Sequence, residues 1–253
     1  MLAKRFLERI FMNKDNLEGL ISEFTKAIKE IKDGKKIDSE KERAEADRKI
    51  FAKYLKYDRF DEEEYMYLIC TILNSFCSTR MGADRVYATT MKFIKSAELI
   101  NNVLSIKEPL SDEYLNKIHE ALCQKIQLAE PGSREFTPYS FATKFLAFHS
   151  EYSSVGGEGV ALFPIYDSQV GTIITKYGLK KKQTLEKFIN RWTFTKNQEV
   201  FDLFDYFKNI RTIDLRNYPQ FYKLMRILSL STGLNFTQLD RFLWKLGDKV
   251  QKT

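Results

Sequence analysis

The sequence predicts an all-α protein of about ten helices. Apolar residues recur at i, i+3, i+4 and i+7 along most of the chain, and no segment has the pattern of a strand. Turn-forming residues are scarce, with 11 Gly and 5 Pro among 253 residues, whereas a β-sandwich or barrel needs many turns. Because 43% of the residues are hydrophobic, the chain can bury a sizeable core, which excludes disorder throughout.

The first 50 residues are predicted to be a helical and charged extension, followed by one folded domain at 51–253. An apolar helical pattern runs through 17–31, and a highly charged stretch follows at 32–49. That stretch is either an exposed helix or a flexible connector, and we expect a solvated surface rather than a binding tail.

The middle of the chain carries strong helical periodicity. It predicts helices over 61–80, 83–100, 111–126 and 139–149, with a turn segment at 129–138. Ser111 follows Pro109 closely and precedes two acidic residues, so we expect it to be the N-cap of its helix.

The second half of the chain begins with a glycine-rich loop at 150–162 and an extended approach at 163–167. Asp167 and Ser168 are then expected to cap a helix that runs toward Tyr177. Four more apolar stripes predict helices around 185–192, 200–207, 221–228 and 239–250. Thr237 is the expected N-cap of the last helix.

The net charge bears on the protein's possible partners, and the cysteines bear on its cellular compartment. A net charge of +7 leaves nucleic acid, an anionic membrane, an acidic protein or no charged partner open. No stretch approaches the ~18 apolar residues of a membrane span, and no signal-peptide cleavage site follows the basic N-terminus. Cys70, Cys77 and Cys123 are odd in number and form no CxxC pair, so we expect buried thiols in a reducing cytoplasm.

Three segments together resemble a known family. They are SFATKFLAFHS (140–150) leading to FPIYDSQV (163–170), the C-terminal LDRFLWKLGDKV (239–250), and ICTILNSFCSTRMGADRVY (69–87). In order and spacing they resemble the helix-hairpin-helix DNA glycosylases, and the C-terminal segment is similar to the ending of the archaeal-type 8-oxoguanine DNA glycosylases. The resemblance implies a two-lobed helical bundle that binds DNA.

Asp167 is the catalytic residue that the resemblance implies, with Ala142 at the family's small-residue position. Cleavage of an N-glycosidic bond develops positive charge on the sugar. A carboxylate fixed in a low-dielectric cleft stabilises that charge and orients the attacking water. From the residues alone, an N-cap is the better explanation of Asp167, and only the resemblance puts the catalytic role beside it.

The chain departs from the family at the hairpin. The family's turn contains glycine, and its amides hold a DNA phosphate, whereas 135–140 reads EFTPYS. Hydroxyls of Thr137, Tyr139 and Ser140 or a helix N-terminus must then serve. Bifunctional members carry Lys where this chain has Ser140, and a hydroxyl cannot form the Schiff base of a lyase step. Lys144, one helical turn later, either reaches the sugar or faces phosphate or solvent.

Base excision requires the target base outside the stack, in a pocket of aromatic and polar side chains. The candidates for contacting bases are Asn74, Ser75, Phe76, Tyr139, Phe242, Trp244 and Lys249. The candidates for contacting the DNA backbone are Arg134, Thr137, Lys180, Lys181, Lys182, Lys187 and Arg191. Core packing also explains each aromatic residue, and a solvated surface also explains each charge.

The expected function is a monofunctional DNA N-glycosylase of the base excision repair type, acting on a damaged or modified base such as 8-oxoguanine. We expect a monomer on double-stranded DNA, associated with the nucleoid, without a membrane partner, metal or cofactor. The sequence has only two histidines and no nucleotide-binding, nucleophile-elbow or HExxH motif. The alternatives are a DNA-binding module that has lost catalysis, and a helical interaction or defence protein whose likeness is fortuitous.

Overall fold

A computed structural model describes residues 61–76, 81–106, 109–128, 135–152, 161–192 and 197–251, with isolated helical positions between 19 and 29. These residues form ten α-helices and no strand, which confirms the all-α prediction for the described part of the chain. The described positions between 19 and 29 are helical and lie within the helical pattern at 17–31, whereas the prediction for the charged stretch at 32–49 lies outside the described residues.

The helices follow one another with short connections. They are α1 Glu63–Phe76, α2 Ala83–Ile94, α3 Ala97–Ser105, α4 Asp112–Ile118, α5 Tyr139–Tyr152, α6 Ser168–Lys176, α7 Lys182–Trp192, α8 Gln198–Tyr206, α9 Tyr218–Thr232 and α10 Phe236–Gln251. A π-helical turn, His119–Cys123, continues α4. Two isolated antiparallel bridges, Ile126 with Phe136 and Lys181 with Thr212, close loops.

The chain divides into two compact units. The central unit holds the described residues from 61 to Tyr166 together with Arg216–Tyr222, whereas the helical positions between 19 and 29 belong to the C-terminal unit. The C-terminal unit holds Asp167–Leu215 and the chain from Lys223 onward. The predicted single domain at 51–253 thus divides into two units, and neither unit is continuous in sequence.

The core of the central unit is aromatic and aliphatic. Phe93 on α2 packs edge-to-face on Phe145 of α5, with ring centroids 4.8 Å apart, and also contacts Phe141. Met66, Ile69 and Leu73 form the fully buried face of α1 at helical spacing. Burial of such side chains contributes about 1.5–3 kcal/mol each, so this core holds the helices together.

The C-terminal unit is centred on apolar faces that the sequence pattern identified. Leu185 and Phe188 of α7 and Leu239 and Leu243 of α10 are fully buried. An ion pair supplements the packing, because Arg226 of α9 donates to both carboxylate oxygens of Glu199 on α8, at 2.9 and 3.4 Å. This two-bond geometry orients the two helices more firmly than a single contact would.

Two predicted helices end earlier than expected. The helix predicted over 83–100 is broken at Lys95 and Ser96, where the Ser96 hydroxyl donates to the Lys92 carbonyl oxygen at 3.0 Å. A serine that bonds the backbone in this way competes with the regular helix. The helix predicted through Ile126 ends at Cys123, and Ile126 instead pairs with Phe136.

The N-caps of three helices can be compared with the residues that the sequence predicted for them. Ser111 accepts from the Tyr114 amide and Asp167 from the Val170 amide, which confirms both predicted N-caps. The prediction for Thr237 is wrong, because α10 begins one residue earlier. The Asn235 side chain accepts from the Gln238 amide at 2.9 Å, and the Gln238 side chain accepts from the Asn235 amide at 3.1 Å. This reciprocal pair is a capping box with Asn in place of Ser or Thr.

Cys70 and Cys123 are free and buried, as predicted, while Cys77 lies outside the described residues. Burial raises the pKa of the Cys70 thiol to about 12, and burial also raises the pKa of Cys123. Both thiols therefore stay protonated and act as small apolar core groups. Among the described helices, none has the length and apolar character to cross a bilayer.

Candidate functional site

Asp167 stands at the N-terminus of α6. Its backbone is extended, and its Oδ1 accepts a hydrogen bond from the Val170 amide at 2.8 Å. The side chain is half-buried, and no second hydrogen bond or ion pair involves it in the described residues. One carboxylate oxygen therefore fixes the side chain while the other remains available, in the positive field of the helix N-terminus.

The segment that leads to Asp167 is fixed by a residue that sequence analysis did not single out. Thr143, fully buried in α5, accepts a hydrogen bond from the Tyr166 amide at 3.0 Å. Its hydroxyl lies 3.0 Å from the Ser140 carbonyl oxygen and 3.4 Å from that of Tyr166. Both backbone groups of the residue before Asp167 are thus tied to one hydroxyl.

Ser140 and Lys144 occupy the first and second turns of α5, and both are half-buried. At a spacing of four residues they share one face of the helix. Ala142, between them in sequence, is fully buried. Ser140 and Lys144 belong to the central unit, whereas Asp167 belongs to the C-terminal unit.

Of the hairpin residues, Thr137 is exposed just before α5, and Arg134 lies outside the described residues. The bridge between Ile126 and Phe136 closes the loop that leads into this helix, with amide-to-carbonyl distances of 2.8 and 3.1 Å. The backbone on both sides of residues 129–134 is thus paired directly before α5.

Two aromatic candidates for the base pocket are core residues in the structure. Tyr139 is 4% exposed and packs against Tyr166, with ring centroids 4.9 Å apart, and Phe242 is 5% exposed. Neither ring presents an open face, so neither can receive a base without rearrangement. The apolar periodicity that suggested them is the periodicity of the core.

Asn74 also has a structural role. Its side-chain amide donates to the Met81 carbonyl oxygen and accepts from the Met81 amide, both at 2.9 Å. This pair closes the loop between α1 and α2 and occupies both ends of the side-chain amide. Ser75, by contrast, is exposed. The side chains of Phe76 and Lys249 lie outside the described part of the chain.

Trp244 differs from the other aromatic candidates because its side chain is 48% exposed. It lies on α10, one turn before Gly247, where α10 packs closely on α6. A Cβ added at Gly247 would lie 3.3 Å from the Cβ of Gln169, which is two residues after Asp167. The close approach at Gly247 therefore shows that the helix carrying Trp244 and the helix that Asp167 caps are in contact within the C-terminal unit.

The predicted phosphate contacts at 180–182 follow a left-handed turn at Gly178, whose φ is 70°. Lys181 is exposed, as are Lys187 and Arg191 on the outer face of α7. Lys182 has a structural partner, because its ammonium donates to the Lys208 carbonyl oxygen at 2.9 Å. Lys182 is thus engaged at the end of α8, while the other cations remain open to an anion.

His149 lies within α5, as the helix predicted over 139–149 requires, and is fully buried beside Phe145. Burial lowers the pKa of His149 to about 3, so the ring is neutral at physiological pH. Its position is that of a core histidine, and we assign it no part in proton transfer.

Searches of family models, curated proteins and solved structures find no match to this chain.

Proposed function

We propose that the protein is a monofunctional DNA N-glycosylase that removes a damaged or modified base from double-stranded DNA. The observation that carries the proposal is the Asp167 carboxylate. It is held at 2.8 Å by the amide of Val170, half-buried, and has a second oxygen that no described residue engages. A fixed carboxylate with one unengaged oxygen is a group that can stabilise a cationic sugar, which supports the proposal.

In the proposed reaction, the bond between C1′ and the base nitrogen breaks, and the electron pair leaves with the base. Asp167 stabilises the positive charge that develops on the sugar and orients the water that attacks C1′. The water adds hydroxyl to C1′, and its proton ends on the departing base or in solvent. The products are a free base and an abasic site.

Trp244 is the proposed platform for the extruded base. Its indole is half-exposed in the unit that contains Asp167, and an aromatic face against a base contributes about 1–3 kcal/mol in nucleic-acid complexes. Tyr139 and Phe242, which lie in the core, are not part of this platform. The resemblance points to an oxidised purine such as 8-oxoguanine as the base.

Strand cleavage is not part of the proposed activity. Ser140 stands where a lyase would need an amine, and a hydroxyl forms no Schiff base with the sugar. Lys144 shares the helix face of Ser140 but is assigned a contact with phosphate. The reaction therefore stops at the abasic site.

A panel of duplexes, each with one lesion or modified base, tests this proposal. With enzyme in excess, we expect one duplex to be cut at the lesion only after alkali treatment, because alkali breaks abasic sites. Cutting without alkali would contradict the monofunctional assignment. Intact strands for every duplex, before and after alkali, would contradict the glycosylase.

A second candidate function is DNA binding without catalysis. The N-cap bond of Asp167 favours it, because that bond alone explains the residue, and so does Ser140 in place of lysine. This candidate predicts salt-dependent binding to duplex DNA with no release of any base.

A further inference from the structure

The basic surface around Lys180 and Lys181 in the C-terminal unit includes two further cations, Lys208 and Arg211, that were not visible in the sequence. The bridge between Lys181 and Thr212 joins two loops, and the Ile213 amide donates to the Lys180 carbonyl oxygen at 2.8 Å. This pairing brings the segment after α8 beside the segment before α7. We call Lys180, Lys181, Lys208 and Arg211 the 181–212 patch.

The cations of the patch form no ion pair with a carboxylate of the described residues. Lys181, Lys208 and Arg211 are exposed, Lys180 is half-buried, and none of the four forms an ion pair in the described residues. Thr212, directly opposite Lys181, is exposed and adds a hydroxyl to the same loop pair. Cations and a hydroxyl on paired backbone are the groups that commonly contact phosphate oxygens.

The backbone beneath the patch is well supported. Ile213 is buried beneath the bridge, and Leu179, fully buried, anchors the other loop. Lys182 further secures the arrangement through its bond to the Lys208 carbonyl oxygen at 2.9 Å. The cations therefore project from a defined surface, which lowers the entropy lost when they meet an ordered row of phosphates.

Two carboxylates border the patch and limit its choice of partner. Asp205 and Asp214 are exposed, each within three residues of Lys208 or Arg211. A single small anion would be weakly held beside them. In a polyanion the charges are spaced along a backbone, so phosphates can contact the cations while the carboxylates face the gaps between phosphates.

We propose that the 181–212 patch binds the sugar-phosphate backbone of duplex DNA. The choice of DNA over other polyanions rests on the proposed function, since Asp167 belongs to the same unit. The patch contacts phosphates without reading sequence, and it positions the duplex on the C-terminal unit.

The test removes the two cations that sequence analysis missed. In the Lys208→Gln/Arg211→Gln double variant, we expect the slope of log affinity against log salt for an undamaged duplex to fall by about 1.8, because each phosphate contact contributes ~0.9. At low salt the dissociation constant should rise roughly tenfold or more. Fluorescence anisotropy between about 50 and 200 mM salt measures both quantities.

The matched control is Lys95→Gln/Lys117→Gln, which removes the same charge from exposed positions of the central unit. An equal change of slope in the two double variants would reduce the effect to net charge and overturn the proposal. An unchanged slope for Lys208→Gln/Arg211→Gln would overturn it as well, as would loss of binding to anionic phosphatidylserine vesicles with DNA binding intact. Thermal melts check that both variants are folded.

Binding to undamaged duplex is measured independently of base release. If the slope falls as expected while no lesion is excised, the patch stands and the glycosylase assignment fails. If a lesion is excised while the slope is unchanged, the glycosylase stands and the patch fails.

Discussion

Thr143 is the residue on which the geometry before Asp167 depends most. Its hydroxyl serves both backbone groups of Tyr166, at 3.0 Å to the amide and 3.4 Å to the carbonyl oxygen. In the sequence it is only one threonine in an apolar helix, and nothing local reveals its partner 23 residues away. Asp167 was identifiable from its cap pattern, whereas the residue that steadies it was not.

Replacing Thr143 with valine keeps the shape of the side chain and removes the hydroxyl. A part-buried amide left without its acceptor costs about 1–3 kcal/mol, so the free energy of unfolding should fall by this amount. We also expect slower base release, since the residue before Asp167 loses its anchor. Urea denaturation and single-turnover assays measure the two effects.

Thr172→Val is the matched control, because the Thr172 hydroxyl is exposed and bonds only the Ser168 carbonyl oxygen in α6. It should change stability by less than about 0.5 kcal/mol. Equal losses in the two variants would show that the bond to Tyr166 has no special role.

His149 makes a prediction about pH. Burial lowers its pKa in the folded protein to about 3, from an ordinary value of 6.5 in the unfolded chain. Below pH 6.5 the unfolded chain therefore binds a proton that the folded protein does not. The stability contribution is complete above pH 6.5 and is lost as pH falls toward 3, at about 1.4 kcal/mol per pH unit.

His149→Phe removes this titration and keeps a ring beside Phe145. Between pH 6.5 and 4, the free energy of unfolding of the variant should decline less steeply than that of the natural protein. Carboxylates contribute equally to both proteins, so the difference between their slopes isolates the histidine. Parallel slopes in urea titrations would refute its burial as a neutral ring.

At the scale of elements, the close contact of α6 with α10 depends on Gly247. Gly247 is buried, and its Cα hydrogen occupies the place where a Cβ would lie 3.3 Å from the Cβ of Gln169. That Cβ is attached to the first turn of α6 and cannot swing aside as the end of a flexible side chain could. An added Cβ would require the neighbouring side of α6 to give by a few tenths of an ångström, and the extra methyl groups of a β-branched residue would require more.

Gly247→Val should therefore destabilise the protein by about 1–3 kcal/mol, the usual cost of overpacking. Because α6 carries Asp167, base release should also slow. Lys245→Val, an exposed position on the same helix, controls for the β-branched side chain and should cost less than about 1 kcal/mol. If both variants melt at the same temperature, the contact is looser than the structure indicates.

At the scale of the whole molecule, sequence patterns predicted local structure better than long-range structure. Helical periodicity located nearly every described helix, since it depends on neighbours three and four residues apart. The bridge from Lys181 to Thr212 joins residues far apart in sequence, so Lys208 and Arg211 were not recognised beside the predicted lysines. The division into two units, with Arg216–Tyr222 in the central one, has the same long-range origin.

The same difference between local and long-range structure explains which predictions about the site residues were correct. Cap chemistry and charge are local properties, and so the sequence correctly predicted Asp167 as an N-cap and Lys181 as an exposed cation. Burial is a property of the folded chain, and it assigned Tyr139 and Phe242 to the core although their residue type suits a base pocket. Trp244 could be distinguished from them only by its exposure.

The most direct test of the glycosylase is the rate at which Asp167→Asn releases the base. Asparagine caps a helix as well as aspartate does, so the variant should keep the bond to Val170 and lose only the charge. With enzyme saturating the lesion duplex, we expect base release about 10²–10³-fold slower than in the natural protein, at unchanged affinity for the duplex. Glu98→Gln, an exposed change of the same charge, should release the base at the natural rate. Full activity of Asp167→Asn would contradict the account.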